Sequence, residues 1–378
     1  MTEDRHIFIK NIYYMLSYVF TTLRESVYED VQKESFDSIY NLFAAILSKG
    51  IGLQLKQGLY REYINCVEDL AVVRGKIEML GTIRNRLAQR AQVTCDFDEL
   101  SQNNLFNQIL KSVVLLLLKQ KDVSPQHKVA LKREMLFFAD IDEVDLKQVR
   151  WADIRFQRNN RTYQLLLSIC QLIVEGMLMT TEDGEYRLAS FIDEQKMHRL
   201  YEKFILEYYA QEFAQYVKGF SARASQIPWD LDDGYVGLLP DMQTDITLSY
   251  GNQILIIDAK YYQHSLQENF GAHKVHSGNL YQIYTYVKNK EAQVKGSDRK
   301  VSGMLLYART NELLAPDDVY HISGNKISVQ TLDLNKEFSY ISAQLDRIVK
   351  DQFGIEKSRT GPGLCKSYSG TGHVDISI

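Results

Sequence analysis

The sequence predicts an α+β protein in two parts. A mainly helical N-terminal domain carries a β-hairpin insertion, and an α/β domain with a mixed sheet flanked by helices follows it. Three observations predict this. Apolar residues recur at helical spacing over most of 7–180, interrupted by a strand-like stretch at about 53–95. Strand-like apolar runs gather after Val217, and helical segments lie before, between and after them. A chain of 378 residues is long enough for two cores. The expected limits are 1–160 for the first domain and 161–350 for the second, with 351–378 a tail.

The elements follow in order. "IFIKNIYYMLSYVFTTL" and "SIYNLFAAILSKG" are amphipathic, and Gly50 reads as the stop of the second helix. "LAVVRGKIEML" and "AQVTCDF" are strand-like and arginine-rich, with Arg74, Lys76, Arg84, Arg86 and Arg90 in and between them. A strong helix runs through "NNLFNQILKSVVLLLLKQ" to Ser124-Pro125, and two more are expected at about 126–137 and 162–180. The turn-rich Thr181–Tyr186 precedes a long helix from Asp193 to Val217. Then come strands, a helix at about 278–290, strands near 301–308 and 318–330, and a helix at about 336–350. The Gly- and Ser-rich tail from Lys357 has little to bury and is expected to be disordered.

Composition narrows the classes. With 44 Lys and Arg against 48 Asp and Glu, the net charge of −4 excludes a protein that grips nucleic acid over its whole surface, so any such contact must be local or come through a partner. The four cysteines form no CxxC pair, which removes a zinc site or a disulfide framework. The 24 tyrosines suit cores, interfaces and base stacking alike. The start of the chain lacks the basic stretch of a signal peptide, and the longest apolar run, Val113–Leu118, is far short of a membrane span. A cytoplasmic protein that does not enter a membrane is expected. There is no GxxxxGK[ST] loop, so the chain should not hydrolyse nucleotides by itself, and no Gly-x-Ser-x-Gly supports a serine nucleophile.

The most informative segment is "TDITLSYGNQILIIDAKYY" (244–262). Gly251-Asn252 suits a two-residue hairpin turn, since both tolerate positive φ. A turn centred there sets Asp245 directly opposite Asp258, with Lys260 on the same face. Asp245, Thr247, Ser249, Ile254, Ile256, Asp258 and Lys260 share that face, and Ile246, Leu248, Tyr250, Leu255, Ile257 and Ala259 form the core face. Opposed carboxylates repel, a cost that a divalent cation between them relieves. Asp245 and Asp258 are therefore expected to hold Mg²⁺, and Lys260 to orient or deprotonate a water attacking a phosphodiester. This is the pattern of the PD-(D/E)xK nucleases and sets the expected α/β domain as restriction-endonuclease-like. The literal Pro240-Asp241 is set aside, because Asp241 would fall opposite Tyr262, beyond the metal-binding positions.

Three further residues are candidates. Glu202 shares a helical stripe with Leu206, Tyr209 and Phe213, and such a glutamate needs a cation or a donor. It is either a salt bridge, with Arg199 or Lys203, or a third acid at the metal site. In "SGNLYQIYTYVKNK", Ser277 reads as an N-cap, and Gln282 and Tyr286, one turn apart, can face a phosphate or brace the lysine. Tyr281 and Tyr284 read as packing residues.

These motifs together resemble the McrC family, the nuclease subunits of McrBC systems that cut DNA carrying modified cytosine. The likeness runs to about residue 350, through "KNIYYMLSYVF" (10–20), "RGKIEMLGTIR" (74–84), "LYEKF" (200–204), "LLPDMQTDITL" (238–248), "ILIIDAKYY" (254–262) and "NLYQIYTYV" (279–287). It implies a Mg²⁺-dependent endodeoxyribonuclease of a type IV restriction system with catalytic positions at Asp245, Asp258 and Lys260. It also implies a partner: a hexameric AAA+ GTPase of the McrB type, whose GTP hydrolysis the N-terminal part would stimulate. Arg74, Lys76, Arg84, Arg86 and Arg90 are the candidate contacts with that ring, with a solvated charged face as the alternative. Two other readings stay open: chiefly a non-catalytic activator and plug of the ring, or a stand-alone repair nuclease. A neighbouring gene for a GTPase would argue against the last.

Overall fold

The structure is a computed structural model that describes residues 9–156, 160–180, 186–188, 193–261, 266–269, 272–309 and 316–357. Its described residues form two compact units, one within 22–193 and one that joins 9–21 to 194–357. The break expected at 160/161 therefore lies elsewhere. The first helix, α1 (Ile9–Val19), belongs with the C-terminal half.

In the unit 22–193, α2 (Glu29–Lys33) leads to α3 (Ile39–Gln57), capped by Ser38, whose hydroxyl accepts from the Asn41 amide. Gly50 does not end α3. A Cβ on it would lie 2.5 Å from Leu166 Cδ2, so the glycine permits a close helix crossing. Next come β1 (Glu62–Leu70), β2 (Lys76–Ile77), α4 (Met79–Leu87) and β3 (Val93–Ser101), the strands pairing antiparallel in the order β1-β3-β2. The strand expected through Met79 and Leu80 is instead helix, because the Glu78 carboxylate caps it, accepting from the Leu80 and Gly81 amides. Then follow α5 (Leu105–Lys119, capped by Asn104), α6 (Pro125–Met135, capped by Ser124), α7 (Arg161–Met177) and a small pair, β4 (Leu178–Thr180) and β5 (Tyr186–Leu188). Helix α7 packs on α3 and α5, which is why residues 161–193 stay with this unit.

In the other unit, α1 is tied in by side chains. Asn11, buried, donates to the carbonyls of Leu334 and Lys336 (both 2.7 Å), and Tyr14 stacks on Phe338. After α8 (Glu194–Tyr209) a π turn over Ala210–Ala214 ends the helix short of the expected Val217. The strands are β6 (Ser221–Arg223), β7 (Gln226–Ile227), β8 (Met242–Gln243), β9 (Ile246–Tyr250), β10 (Gln253–Lys260), β11 (Leu266–Asn269) and β12 (Ala272–Val275). Helix α9 (Ser277–Gln293) follows, with His276 rather than Ser277 at the cap position, then β13 (Lys300–Ala308). The strand expected over 318–330 is a hairpin, β14 (Asp318–Ile322) and β15 (Asn325–Leu332), and α10 (Phe338–Phe353) closes the fold.

Six strands form a mixed sheet in the order β14-β15-β13-β10-β9-β6, parallel between β10, β13 and β15 and antiparallel elsewhere. Helix α9 supplies the crossover that the parallel β10–β13 pair needs. Ile283, Tyr286 and Val287 of α9 pack with Ile254 and Ile256 on one face. On the other, Gln352 of α10 donates to Gln253 and Ser302, and α8 also contacts β10. Both faces of β10 are buried, not one as expected, because a strand inside a parallel pair is covered twice. The α+β expectation, with a mixed sheet flanked by helices, matches this architecture. The tail begins later than expected: residues 351–353 are the last turn of α10, and Lys357 pairs with the buried Glu212. Residues 358–378 lie outside the described residues, as do the turn 181–185 and Tyr262.

Candidate active site

The hairpin pairs in the expected register, from Tyr250↔Gln253 to Ile246↔Ile257. Only Gly251 takes a positive φ, at +57°. Asn252 instead sends its side-chain amide to Asp298, accepted by the carbonyl at 3.1 Å and the carboxylate at 3.2 Å. Asp245 lies just before β9, one step beyond the last pair. Buried Thr244 fixes the backbone there: its amide donates to the Ser225 carbonyl (2.9 Å), and its hydroxyl accepts from the Ser225 amide (3.1 Å). The Asp245 carboxylate then folds against β10, where Oδ2 accepts from the Ala259 amide at 2.9 Å.

Asp258 and Lys260 are almost sealed from solvent, at 1% and 7% exposure. Lys260 Nζ lies 2.9 Å from Asp258 Oδ1 and donates to Gln282 Oε1 at 3.2 Å. Gln282 Nε2 in turn donates to the Tyr286 hydroxyl at 2.9 Å. Both ends of the amide are engaged, so its orientation is fixed from β10 to α9. The structure thus joins Asp245, Asp258, Lys260, Gln282 and Tyr286 in one constellation. Tyr281, read as a packing residue, is 67% exposed, whereas Tyr284 does pack on the sheet. Asp241 is exposed and plays no part.

Burial raises the Asp245 carboxyl above its ordinary range, and Asp258 and then Glu202 push it further. Burial likewise raises Asp258, opposed by the adjacent Lys260 ammonium. Glu202 is within electrostatic reach of both aspartates. Its partner is neither Arg199 nor Lys203 but His198, one turn earlier on α8, with Nδ1 2.7 Å from Glu202 Oε1. That hydrogen bond raises the imidazole against the opposing effect of burial. Sequence reasoning missed His198, although the 198/202 spacing on an amphipathic helix was the available signal.

The donors fit a hard divalent cation. Both Asp258 carboxylate oxygens are buried without a hydrogen bond of good geometry, and Asp245 has one oxygen free of the Ala259 amide. No cluster of three His, Cys, Asp or Glu side chains arranged for a metal occurs among the described residues. Two carboxylates suffice for Mg²⁺, which keeps several waters and takes the rest of its shell from phosphate.

The basic candidates in the other unit are dispersed. Arg74 is used internally, over the Phe97 ring at 4.1 Å and 3.5 Å from Glu99. Lys76 is on β2, while Arg84 and Arg86 are on α4 and Arg90 follows it, all exposed. Of the five basic residues expected in and between strand-like stretches, only Lys76 is on a strand, and Arg84 and Arg86 are helical. No helix among the described residues is long and apolar enough to cross a membrane.

Residues 3–308 match the model of a family described as McrBC 5-methylcytosine restriction system component. A relative, the type IV methyl-directed restriction enzyme EcoKMcrBC of Escherichia coli (strain K12), is 28% identical over 347 residues, 91% of this chain and 97% of its own. Two solved structures from Thermococcus gammatolerans are similar at lower identity. One is a refined half-complex from a tetradecameric assembly of McrB AAA+ hexamers with bound McrC, at 17% identity and a TM-score of 0.48, covering 88% of this chain and 75% of that one. The other is the cryo-EM structure of the McrBC complex, at 20% identity and 0.40, covering 57% and 61%. Because the family match takes in most of the chain, including the whole Asp245–Lys260 hairpin and the helix that braces it, the chain belongs to the McrBC 5-methylcytosine restriction system component family.

Proposed function

We propose that the chain is the Mg²⁺-dependent endodeoxyribonuclease subunit of a GTP-driven restriction complex that acts on double-stranded DNA carrying modified cytosine. The observation that carries this is the constellation of half-buried Asp245 with buried Asp258 and Lys260, the lysine braced by Gln282 and Tyr286. Family membership and the EcoKMcrBC relative support the restriction setting and an AAA+ GTPase partner of the McrB type. The PD-(D/E)xK assignment rests on the order and register of the two aspartates and the lysine.

Asp245, just before β9, and Asp258, on β10, would hold the metal between them. When bound, Mg²⁺ would polarise the scissile phosphodiester and acidify a water. Lys260 orients the attacking water and steadies charge growing on the phosphate, and Gln282 keeps its ammonium aimed there. Tyr286 fixes the Gln282 amide, while burial of the cluster strengthens each of these interactions. Glu202, held by His198, adds negative charge beside the carboxylate pair.

Alanine at Asp245, Asp258 or Lys260 is expected to abolish cleavage in a mixture of chain, McrB-type GTPase, methylated DNA, GTP and Mg²⁺, leaving GTPase stimulation intact. Wild-type cleavage by Lys260→Ala would overturn the assignment. A second activity, stimulation of the GTPase by the unit 22–193, is supported by exposed Met79, Leu80, Ile83 and Leu87 beside Arg84 and Arg86 on α4. Arg84→Glu with Arg86→Glu would then lower GTP hydrolysis; an unchanged rate would count against it.

A further inference from the structure

Three cations gather at the far end of α9 without an ion pair among the described residues. Arg223 on the edge strand β6 is paired with Thr247, which faces Ile256, so the register puts Arg223 on the face that α9 covers. Lys290 is half-buried on α9, and both Arg223 and Arg299 lie close enough to add to burial in disfavouring its charge. Arg299 sits between α9 and β13. Both arginines are exposed and have no acidic partner, and Lys290 donates only to Gln293 Oε1, at 2.6 Å. Nearby acids are engaged elsewhere, Glu291 with Lys288 and Asn325, and Asp298 with Asn252. Like charges held together weaken the fold unless an anion joins them.

The cluster is aligned with the reactive lysine. Gln282, Tyr286 and Lys290 follow one another at intervals of four on α9, which is one stripe of the helix. Eight residues of helix span about 12 Å. At about 3.4 Å per nucleotide of one strand, that is roughly three to four nucleotides.

We propose that Arg223, Lys290 and Arg299 bind the phosphate backbone of the DNA duplex three to four nucleotides from the cut. The assignment rests on Lys260 marking the point of cleavage. It supplies a net-acidic chain with a local grip on DNA where the cut requires one. Arginine forks match phosphate oxygens, and Lys290 adds a point charge.

The test is fluorescence anisotropy of a labelled 30-base-pair duplex with the full chain in Ca²⁺, across a range of KCl. The triple variant Arg223→Gln/Lys290→Gln/Arg299→Gln should lower the slope of log K against log salt by about two to three and weaken binding at least tenfold near 100 mM salt. Its melting temperature should hold or rise as the repulsion is relieved. In the complete cleavage mixture it should need more DNA for half-maximal rate yet keep the saturated rate. No measurable wild-type binding, or an unchanged slope in the triple variant, overturns the proposal. Persistent cleavage by Lys260→Ala would instead remove the nuclease reading, whatever the salt slopes show.

Discussion

Gly303→Ala tests whether α9 is pinned where the lysine brace needs it. Gly303 lies inside β13, opposite Ile256 of β10. A Cβ there would stand 2.8 Å from Val287 Cγ2 and 2.9 Å from Ile283 Cγ1, both on α9. Carbon atoms prefer about 3.5–4.0 Å, so the helix must retreat by roughly 1 Å. Ile283 and Val287 are the sequence neighbours of Gln282 and Tyr286. A retreat of that size stretches the 3.2 Å Lys260–Gln282 hydrogen bond past its useful range. Overpacking of this kind costs about 1–3 kcal/mol, which lowers the melting temperature by about 2–4 °C per kcal/mol in a unit of this size. Misplacing a positioning group by about 1 Å can cost on the order of 100-fold in rate. Thermal melting of the metal-free chain and cleavage in the complete mixture read the two effects, with GTPase stimulation as the unaffected control. A lowered melting temperature with cleavage within twofold of wild type would refute the bracing role of Gln282; no change in either would refute the tight packing.

Tyr286→Phe removes the hydroxyl that fixes Gln282 but keeps the buried ring, so cleavage should fall about fivefold, the worth of roughly 1 kcal/mol, with little change in melting. His198 is raised above its ordinary value by Glu202, so its contribution to stability is full below pH 6.5 and fades as pH rises through the raised value. The melting temperature of His198→Ala should therefore trail wild type most at acid pH and converge with it at alkaline pH. Glu134, raised from 4.5 to about 7 by burial, moves stability in the same direction for a different reason: its folded state binds the proton more tightly because the carboxylate is desolvated, so wild-type stability declines between those values and is flat above them. Glu134→Gln should remove that decline, and equal pH profiles for the two proteins would contradict it.

The register of the hairpin was legible because a side-chain period of two and a two-residue turn leave one alignment of β9 on β10. The helix pairing Gln282 with Tyr286 was legible for the same kind of reason, as a spacing on one element. Contacts between elements were not. Gly303 looks like any strand glycine until Ile283 and Val287 are seen above it, and Gly50 looks like a helix stop until Leu166 crosses it. Glu78 as a helix cap was hidden by β-branched and apolar neighbours that suggested a strand. His198 was passed over because Arg199 and Lys203 offered Glu202 formal charges, whereas the helix turn brings 198 and 202 together. The affiliation of α1 with the C-terminal half was illegible in principle, since it depends on Asn11 and Tyr14 finding partners more than 300 residues away.

That long-range closure changes how the chain divides. Residues 22–193 leave after α1 and return at α8, and α1 and α8 pack against each other, with Tyr18 against Phe204 and Tyr208. The same α8 carries His198 and Glu202 beside the carboxylate pair, and the Tyr18 hydroxyl on α1 donates to the buried Glu212 just beyond α8. Residues 9–19 are thus part of the scaffold of the candidate active site. Cutting the chain at residue 160 or 193 would remove α1 from that scaffold, so loss of cleavage after such a cut would say nothing of what 22–193 contributes. Side-chain substitutions within each unit are the perturbations that separate the two proposed activities.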